Sequence, residues 1–340
     1  MSADEGSGMI NRTPTIEDVA RAAGVSRATT SRVINHLPGA SDQARARVNQ
    51  AVADLGYRPN AAARALASGR APILDLVVVA HETNASALGV NPYFGRVLAG
   101  MLTALDGTGT AMRVRLVGPS DGIETFDQVA DTVTTGAVLV NVPPPMATRF
   151  HRRCRRVVSL GATAAHIPAV EAENETGAHA AVAQLYRIGR RRIAAVHGPD
   201  RNTCAASRRA GHRNAIHAAG LPDVADDGGF WRDGGYRATT QLLTRQPKVD
   251  ALFVACDLMA VGAIQAIVAT GRRVPDDVAV VGFDDSILAA AANPSLTTVR
   301  QPVEDMAVAA TRMLLNDEAT PYRRLIFPVS LILRASTSLG

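Results

Sequence analysis

The sequence predicts a small all-α unit at the N-terminus followed by a much larger α/β domain built on parallel sheets. Three observations predict this. Residues 15–35 carry two short helical patterns that meet at Ala23-Gly24-Val25. From Ile73 onward, short apolar runs alternate with helical stretches, the pattern of parallel sheets with helices on both faces. Charge divides along the same line. Residues 11–70 hold nine Arg against four Asp or Glu, a net +5, while the other 27 basic and 27 acidic residues cancel. The whole excess of the 340-residue chain therefore sits in the small unit, the footprint of a module that binds phosphates.

In that unit, Ile16, Val19 and Ala20 give a first helix an apolar stripe at i, i+3, i+4. Gly24 supplies the turn, because only glycine takes positive φ without a Cβ penalty. Ser26 reads as the N-cap of a second helix that exposes Arg27, Ala28, Thr29, Ser31 and Arg32 and buries Val33 and Ile34. Hydroxyls and guanidinium groups crowded on one helix, held by a partner across a glycine turn, suit the reading of duplex DNA. Ser41 starts a third helix with apolar positions Ala44, Val48, Ala51, Val52 and Leu55, and Gly56 stands at its C-cap. Pro59 breaks the pattern, and residues 61–67 form an alanine-rich helical segment too short to be stable alone in water.

In the larger part, residues 74–80 read as a buried strand. Phe94, Val97, Leu98, Met101, Leu102 and Leu105 make one helix face. Further strands are expected at 137–142, 157–160, 193–197, 251–255 and 278–283, and helices at 177–188, 207–219 and 258–270. Such sheets bind ligands at the carboxyl ends of their strands. The three cysteines have no paired spacing, which argues against a disulfide framework or a zinc site and for a reducing compartment. Residues 1–12 are expected to be a disordered, polar tail and not a secretory leader. No apolar run is long enough to span a bilayer.

Further landmarks are Asn91-Pro92-Tyr93-Phe94, Glu173-Asn174-Glu175-Thr176-Gly177, Arg190-Arg191-Arg192-Ile193 and Ala205-x-x-Arg208-x-x-Gly211. Gly282-Phe283-Asp284-Asp285, Pro294 through Pro302 and Arg334-Ala335-Ser336-Thr337 follow. With the N-terminal motif, they resemble the lactose-repressor (LacI) family of bacterial transcription regulators from Thr15 to the end. The resemblance implies a helix-turn-helix headpiece (13–59), a hinge helix (60–70) and an effector-binding and dimerisation domain (71–340). That domain would have the periplasmic-binding-protein-like fold, two doubly wound subdomains of about 71–170 with 300–325 and about 171–290 with 326–340. The chain would cross between them near 170–174, 286–301 and 323–329. With no leucine heptads after the last strand, a homodimer is expected.

The resemblance also implies roles. Arg27, Ala28 and Arg32 correspond to positions facing base edges, Arg32 being best suited to a bidentate contact with guanine. Thr15, Ser26, Thr29, Ser31 and Asn35 match phosphate contacts, with helix capping the competing role for each. Thr30 replaces the usual valine, so its hydroxyl at a packed position needs a partner. Asn60, Ala63, Arg64 and Leu66 match the hinge, with Leu66 entering the minor groove and Arg64 meeting a phosphate. For the effector, Arg208 and Asp284 match polar contacts and Gln301 lies near a crossover. Tyr93 and Phe94 are expected to wall the cleft, and Phe230 or Trp231 to stack on a sugar face, with core packing the alternative for each aromatic. Gly161, where many members carry aspartate, Cys256, where asparagine is common, and a loop at 81–90 longer than usual before Asn91 point to a roomier cleft and an unusual ligand. The run from His151 to Arg156 reads as the solvated end of a helix in preference to an anion site.

The expected function is that of a sequence-specific DNA-binding regulator, a repressor in the first instance. Its partners would be a near-palindromic double-stranded operator and a small effector, a sugar or sugar derivative. It is expected in the bacterial cytoplasm, associated with the nucleoid and not with a membrane. The alternative is a solute-binding receptor domain without regulatory output. No nucleophile elbow, phosphate-cradling glycine loop or metal-spaced cluster is present in the sequence, so neither an enzyme nor a metal or other cofactor is expected.

Overall fold

The computed structural model describes residues 14–34, 39–57, 71–79, 86–118 and 121–338. The 1–12 tail, Asn35 and the hinge segment 60–70 with Asn60, Ala63, Arg64 and Leu66 lie outside them. The chain divides into two compact units, Met1–Arg70 and Ala71–Gly340.

The small unit holds α1 (Ile16–Ala23), α2 (Arg27–Ile34) and α3 (Asp42–Leu55). A reciprocal capping box starts α1: the Asp18 N–H donates to Thr15 Oγ1 (3.3 Å) and the Thr15 N–H to Asp18 Oδ2 (2.9 Å). Gly24 ends it at φ +61°. Ser26 caps α2, accepting from the Thr29 N–H at 3.1 Å, and Ser41 caps α3. Val19, Ala23, Val33, Val48 and Ala51 form the core. Thr30 is fully buried within it, and its hydroxyl donates to the Ser26 carbonyl (3.1 Å), which removes the penalty of an unpaired polar group. Several positions differ from expectation, Thr29 and Ser31 among them, half-buried where exposure was expected. Ile34 and Val52 are only half-buried and Leu55 is exposed, because a core of this size closes over one narrow stripe of each helix.

The larger unit begins with β1 (Ile73–Val79), α4 (Ser86–Val90), α5 (Pro92–Leu105), β2 (Ala111–Val117), α6 (Ile123–Asp131), β3 (Gly136–Val140), α7 (Pro144–Arg153), β4 (Val157–Leu160) and β5 (Ala169–Ala172). Next come α8 (Asn174–Arg187), β6 (Ile193–His197), α9 (Thr203–Ala218), β7 (Ala225–Asp227), α10 (Arg232–Arg245), β8 (Ala251–Val254), α11 (Asp257–Ala269), β9 (Ala279–Asp284), α12 (Ile287–Ala291) and β10 (Thr297–Arg300). It closes with α13 (Val303–Leu315), β11 (Arg324–Phe327) and β12 (Ser330–Ile332).

These strands make two six-stranded sheets, in the orders β11-β5-β4-β3-β1-β2 and β12-β10-β9-β8-β6-β7. All pairings are parallel except β10 with β12, an edge position that tolerates the reversal. Both faces of the first sheet are covered. Leu74, Leu76 and Val78 pack with α5 and α13, while Val77, Ala137 and Leu139 pack against α6 and α7. Burial on both faces is why these strands read as continuous apolar runs and not as alternating ones. The chain passes from one sheet to the other after β5, after β10 and between β11 and β12. β11 pairs with β5 over its whole length, so Ile326 and Phe327 stand in the first lobe, where the domain boundaries expected from sequence had put them in the second. Leu102 is 54% exposed and leaves the predicted core face of α5.

Candidate functional site

Two sites emerge, one in each unit. In the small unit, α2 presents Arg27, Ala28 and Arg32 exposed, with Ser31 half-buried beside them. The Arg27 guanidinium is paired with Glu17 of α1 at 2.8 Å. Arg32 is exposed and makes no ion pair among the described residues. Thr15 and Ser26 cap α1 and α2, and the Ser26 hydroxyl lies 2.9 Å from that of Thr29. The capping role is thus the one the structure shows for Thr15 and Ser26.

In the larger unit a cleft lies between the two lobes. Most of the residues that line it stand at or beyond the carboxyl end of a strand. Asn141 follows β3, Gly161 β4, Asn174 β5, Asn202 and Cys204 β6, Cys256 β8, Asp284 ends β9 and Gln301 follows β10. Carbonyl ends of parallel strands are where such sheets leave a crevice unfilled by helices.

Arg208, 4% exposed on α9, is the hub. Its Nε donates to Asn174 Oδ1 (2.8 Å) and its Nη1 to the Ala255 carbonyl (2.6 Å) and Asp284 Oδ1 (3.4 Å). Gln301 Nε2 donates to the same carboxylate oxygen at 2.6 Å. The guanidinium lies 3.7 Å from the centroid of the Phe283 ring, a cation–π contact in a desolvated site. Burial pushes the Asp284 carboxyl above its usual range, and Arg208 partly offsets this. Tyr93 lines the cleft, and burial drives its phenol well up. The structure thus brings Tyr93, Arg208, Phe230, Cys256, Asp284 and Gln301 together.

Two expected wall residues stand elsewhere. Phe94 is 3% exposed in the core of the first lobe, edge-on to Tyr93 at 5.8 Å, because the face of α5 that holds Val97 and Met101 turns it inward. Trp231 does not line the cleft and packs against the apolar cluster of the first lobe. Phe230, at φ +67°, takes the cleft position. Cys256 lines the cleft, but its sulfur caps α11 by accepting from the Met259 N–H. The room expected at Gly161 is filled as well. Its backbone is at φ +89°, and a Cβ there would lie 2.7 Å from Cys204 Sγ, so the thiol occupies that space.

Sequence reading missed Asn91, Asn141, Asn174, Asn202, Cys204, Leu160 and Met306 as lining residues. Asn202 Nδ2 donates to Asn141 Oδ1 at 3.0 Å, a hydrogen bond joining the two lobes across the cleft. Cys204 carried a signal, four residues before Arg208 and so on the same face of α9. Asn141 carried one too, near the carboxyl end of the strand expected at 137–142, but its partner Asn202 lies 61 positions away. The arginine-rich run is not simply solvated. Arg149 and Arg153 pair with Asp127, and Arg156 reaches Asp317 and the carbonyls of Thr135 and Leu314. His151 is buried beside Arg155 and His166.

Residues 15–60 match the model for bacterial regulatory proteins of the lacI family, and residues 182–337 match that for a periplasmic binding protein-like domain. The HTH-type transcriptional regulator CelR of Thermobifida fusca is 36% identical, with 96% of this chain and 98% of that protein covered. A solved complex of the regulator CelR with cellobiose is 33% identical, covers 95% of this chain and 99% of its own, and has a TM-score of 0.72. A lac repressor dimer bound to operator and the anti-inducer ONPF is 27% identical, with 96% and 99% covered and a TM-score of 0.70.

Proposed function

Because the chain belongs to the lacI family of bacterial regulatory proteins, we propose that it is a transcriptional repressor whose grip on operator DNA is set by a sugar or sugar derivative in the cleft between its lobes. The observation that carries this reading is the Arg208–Asp284–Gln301 network at the strand ends of a domain that follows a helix-turn-helix unit on the same chain. A guanidinium and a carboxylate side by side suit a neutral polyol, which can accept from one and donate to the other. The other cleft groups that support it are Tyr93, Phe230 and Cys256.

In this reading two copies place their α2 helices on the half-sites of a near-palindromic operator. Arg32 and Arg27 face bases, with Ala28 against a thymine methyl. Thr15, Ser26, Thr29, Ser31 and Asn35 meet phosphates. Residues 60–70 form the hinge, with Leu66 in the minor groove and Asn60, Ala63 and Arg64 beside it. An effector that binds the DNA-incompetent arrangement of the lobes more tightly releases the operator, and one with the opposite preference strengthens repression. Among the described residues no helix is long and apolar enough to cross a membrane, in keeping with action on the nucleoid in the cytoplasm.

Selection of duplexes from a randomised pool, followed by anisotropy with a panel of sugars that includes cellobiose, tests this. Enrichment of a near-palindrome whose affinity shifts with one sugar is expected. No preference over scrambled competitor, with or without sugars, overturns the reading.

A further inference from the structure

We infer that Asp257 is a positioning residue of the cleft: two hydrogen bonds to its carboxylate hold the Asp284–Ser286 corner and so set where Asp284 stands. This rests on the reading of the cleft as the effector site, and it adds a residue that does not line the cleft.

Asp257 begins α11 and is fully buried. The Ser286 N–H donates to its Oδ2 at 2.7 Å, and the Thr298 hydroxyl donates to its Oδ1 at 2.6 Å. Thr298 in turn accepts the Asp285 N–H at 3.4 Å. Both amides of the corner after β9 are therefore satisfied by Asp257, directly or through Thr298.

The corner needs holding. Asp284 is at φ +118° and Asp285 at φ +50°, two consecutive side-chain-bearing residues in backbone regions that favour glycine. Such conformations persist only where surrounding bonds over-determine them. Here the Asp285 carboxylate is also gripped by Arg300 (2.6 Å) and Arg334 (2.7 Å), and the Asp284 carbonyl accepts from Arg96 of the first lobe (2.8 Å). With the corner fixed, Asp284 meets Gln301 and Arg208 in the cleft.

Charge makes the device sensitive to protons. Burial raises the Asp257 carboxyl to about 7, and the neighbouring Asp284 adds to the shift. Asp284, whose carboxyl burial also raises, titrates together with it. Asp284 faces Arg208, Asp285 is held by its two arginines, and burial keeps the adjacent Cys256 thiol protonated. A protonated Asp257 has one acceptor fewer for the corner.

Amide exchange on the ligand-free full chain tests the inference. Asp257→Asn should raise exchange at Asp285 and Ser286 at least tenfold relative to β6 and β8. Thr298→Val, which keeps the carboxylate, should do the same at Asp285 and carries the test if Asp257→Asn does not fold. Titration with cellobiose at pH 8 and pH 6 adds the functional arm: the wild type should lose about tenfold in affinity at the lower pH, and Asp257→Asn should bind weakly at both. A corner that exchanges as in the wild type overturns the inference, as does an unchanged affinity and pH profile in Asp257→Asn. If cellobiose does not bind the wild type, that sugar is excluded as effector and the exchange result alone decides on Asp257.

Discussion

Arg32 and Arg27 leave the same helix with different histories. Arg27 already has Glu17 and must exchange one partner for another on DNA, whereas Arg32 has no ion pair among the described residues to give up. Arg32→Ala should weaken operator binding about 10- to 100-fold and relax preference at one base pair, as removal of a bidentate base contact does. Arg27→Ala should have the smaller effect, measured by anisotropy on the same duplex. In the cleft, Arg208→Ala should abolish the response to sugar while operator affinity in its absence is kept. It also strands a buried carboxylate, so Asp284→Asn in the same background should recover part of the lost thermal stability. Response that survives removal of Arg208 would move the effector elsewhere.

At the level of elements, caps and packed layers account for most of what forms. Thr15→Ala removes the side-chain half of the α1 capping box, leaving the backbone N–H of residue 15 on Asp18, and should destabilise the headpiece by about 1 kcal/mol, whereas Thr15→Ser should not. In the second lobe, β6 and α9 meet through His197 and His212, rings 5.0 Å apart, with His212 stacked on Phe253. Among the described residues none of their four ring nitrogens has a hydrogen-bond partner, the Asp223 carboxylate standing 3.8 Å from His212 Nδ1. Burial lowers their pKa values to about 3 and about 4. Both groups therefore stay neutral in the folded chain, while the unfolded chain takes up protons below about pH 6.5. Stability should be full above that pH and fall as pH drops towards 4, each histidine adding about 1.4 kcal/mol per pH unit to the slope. Asp257, with its raised carboxyl, acts in the opposite sense between about pH 7 and 4. The clean measurement is thus a difference: urea unfolding at pH 7 and pH 5 should show a smaller acid loss in His212→Phe than in the wild type.

Across the whole molecule, the positive excess confined to residues 11–70 predicts how binding responds to salt. Operator affinity should fall linearly in log K against log salt, with a slope near −0.9 for each phosphate neutralised. Neutralising Arg152 or Arg155 in the larger unit should leave that slope unchanged. A flat response would count against the headpiece as the DNA-binding element.

Much of this was legible in the chain, and for a local reason. Caps, glycine turns and apolar periodicity act over three to five residues, so Ser26, Gly24 and the stripes of α1 and α2 announce themselves. Arg208 and Asp284 were readable as cleft groups because each sits in a recognisable motif. Which aromatic faces the cleft was not readable. Phe230 and Trp231 are adjacent, and the positive φ at Phe230 sends one ring to the cleft and the other to the first lobe. Nor were the Asn141–Asn202 bond, the Cys204 thiol filling the space at Gly161, or the Asp257–Ser286 contact. The sequence by itself determined the helices, the parallel sheets and the place of the charge, since these follow from short-range sterics and from burial pattern. Only the tertiary structure decided which side chains share the cleft, because those contacts join residues far apart along the chain, and their geometry depends on how two lobes close on one another.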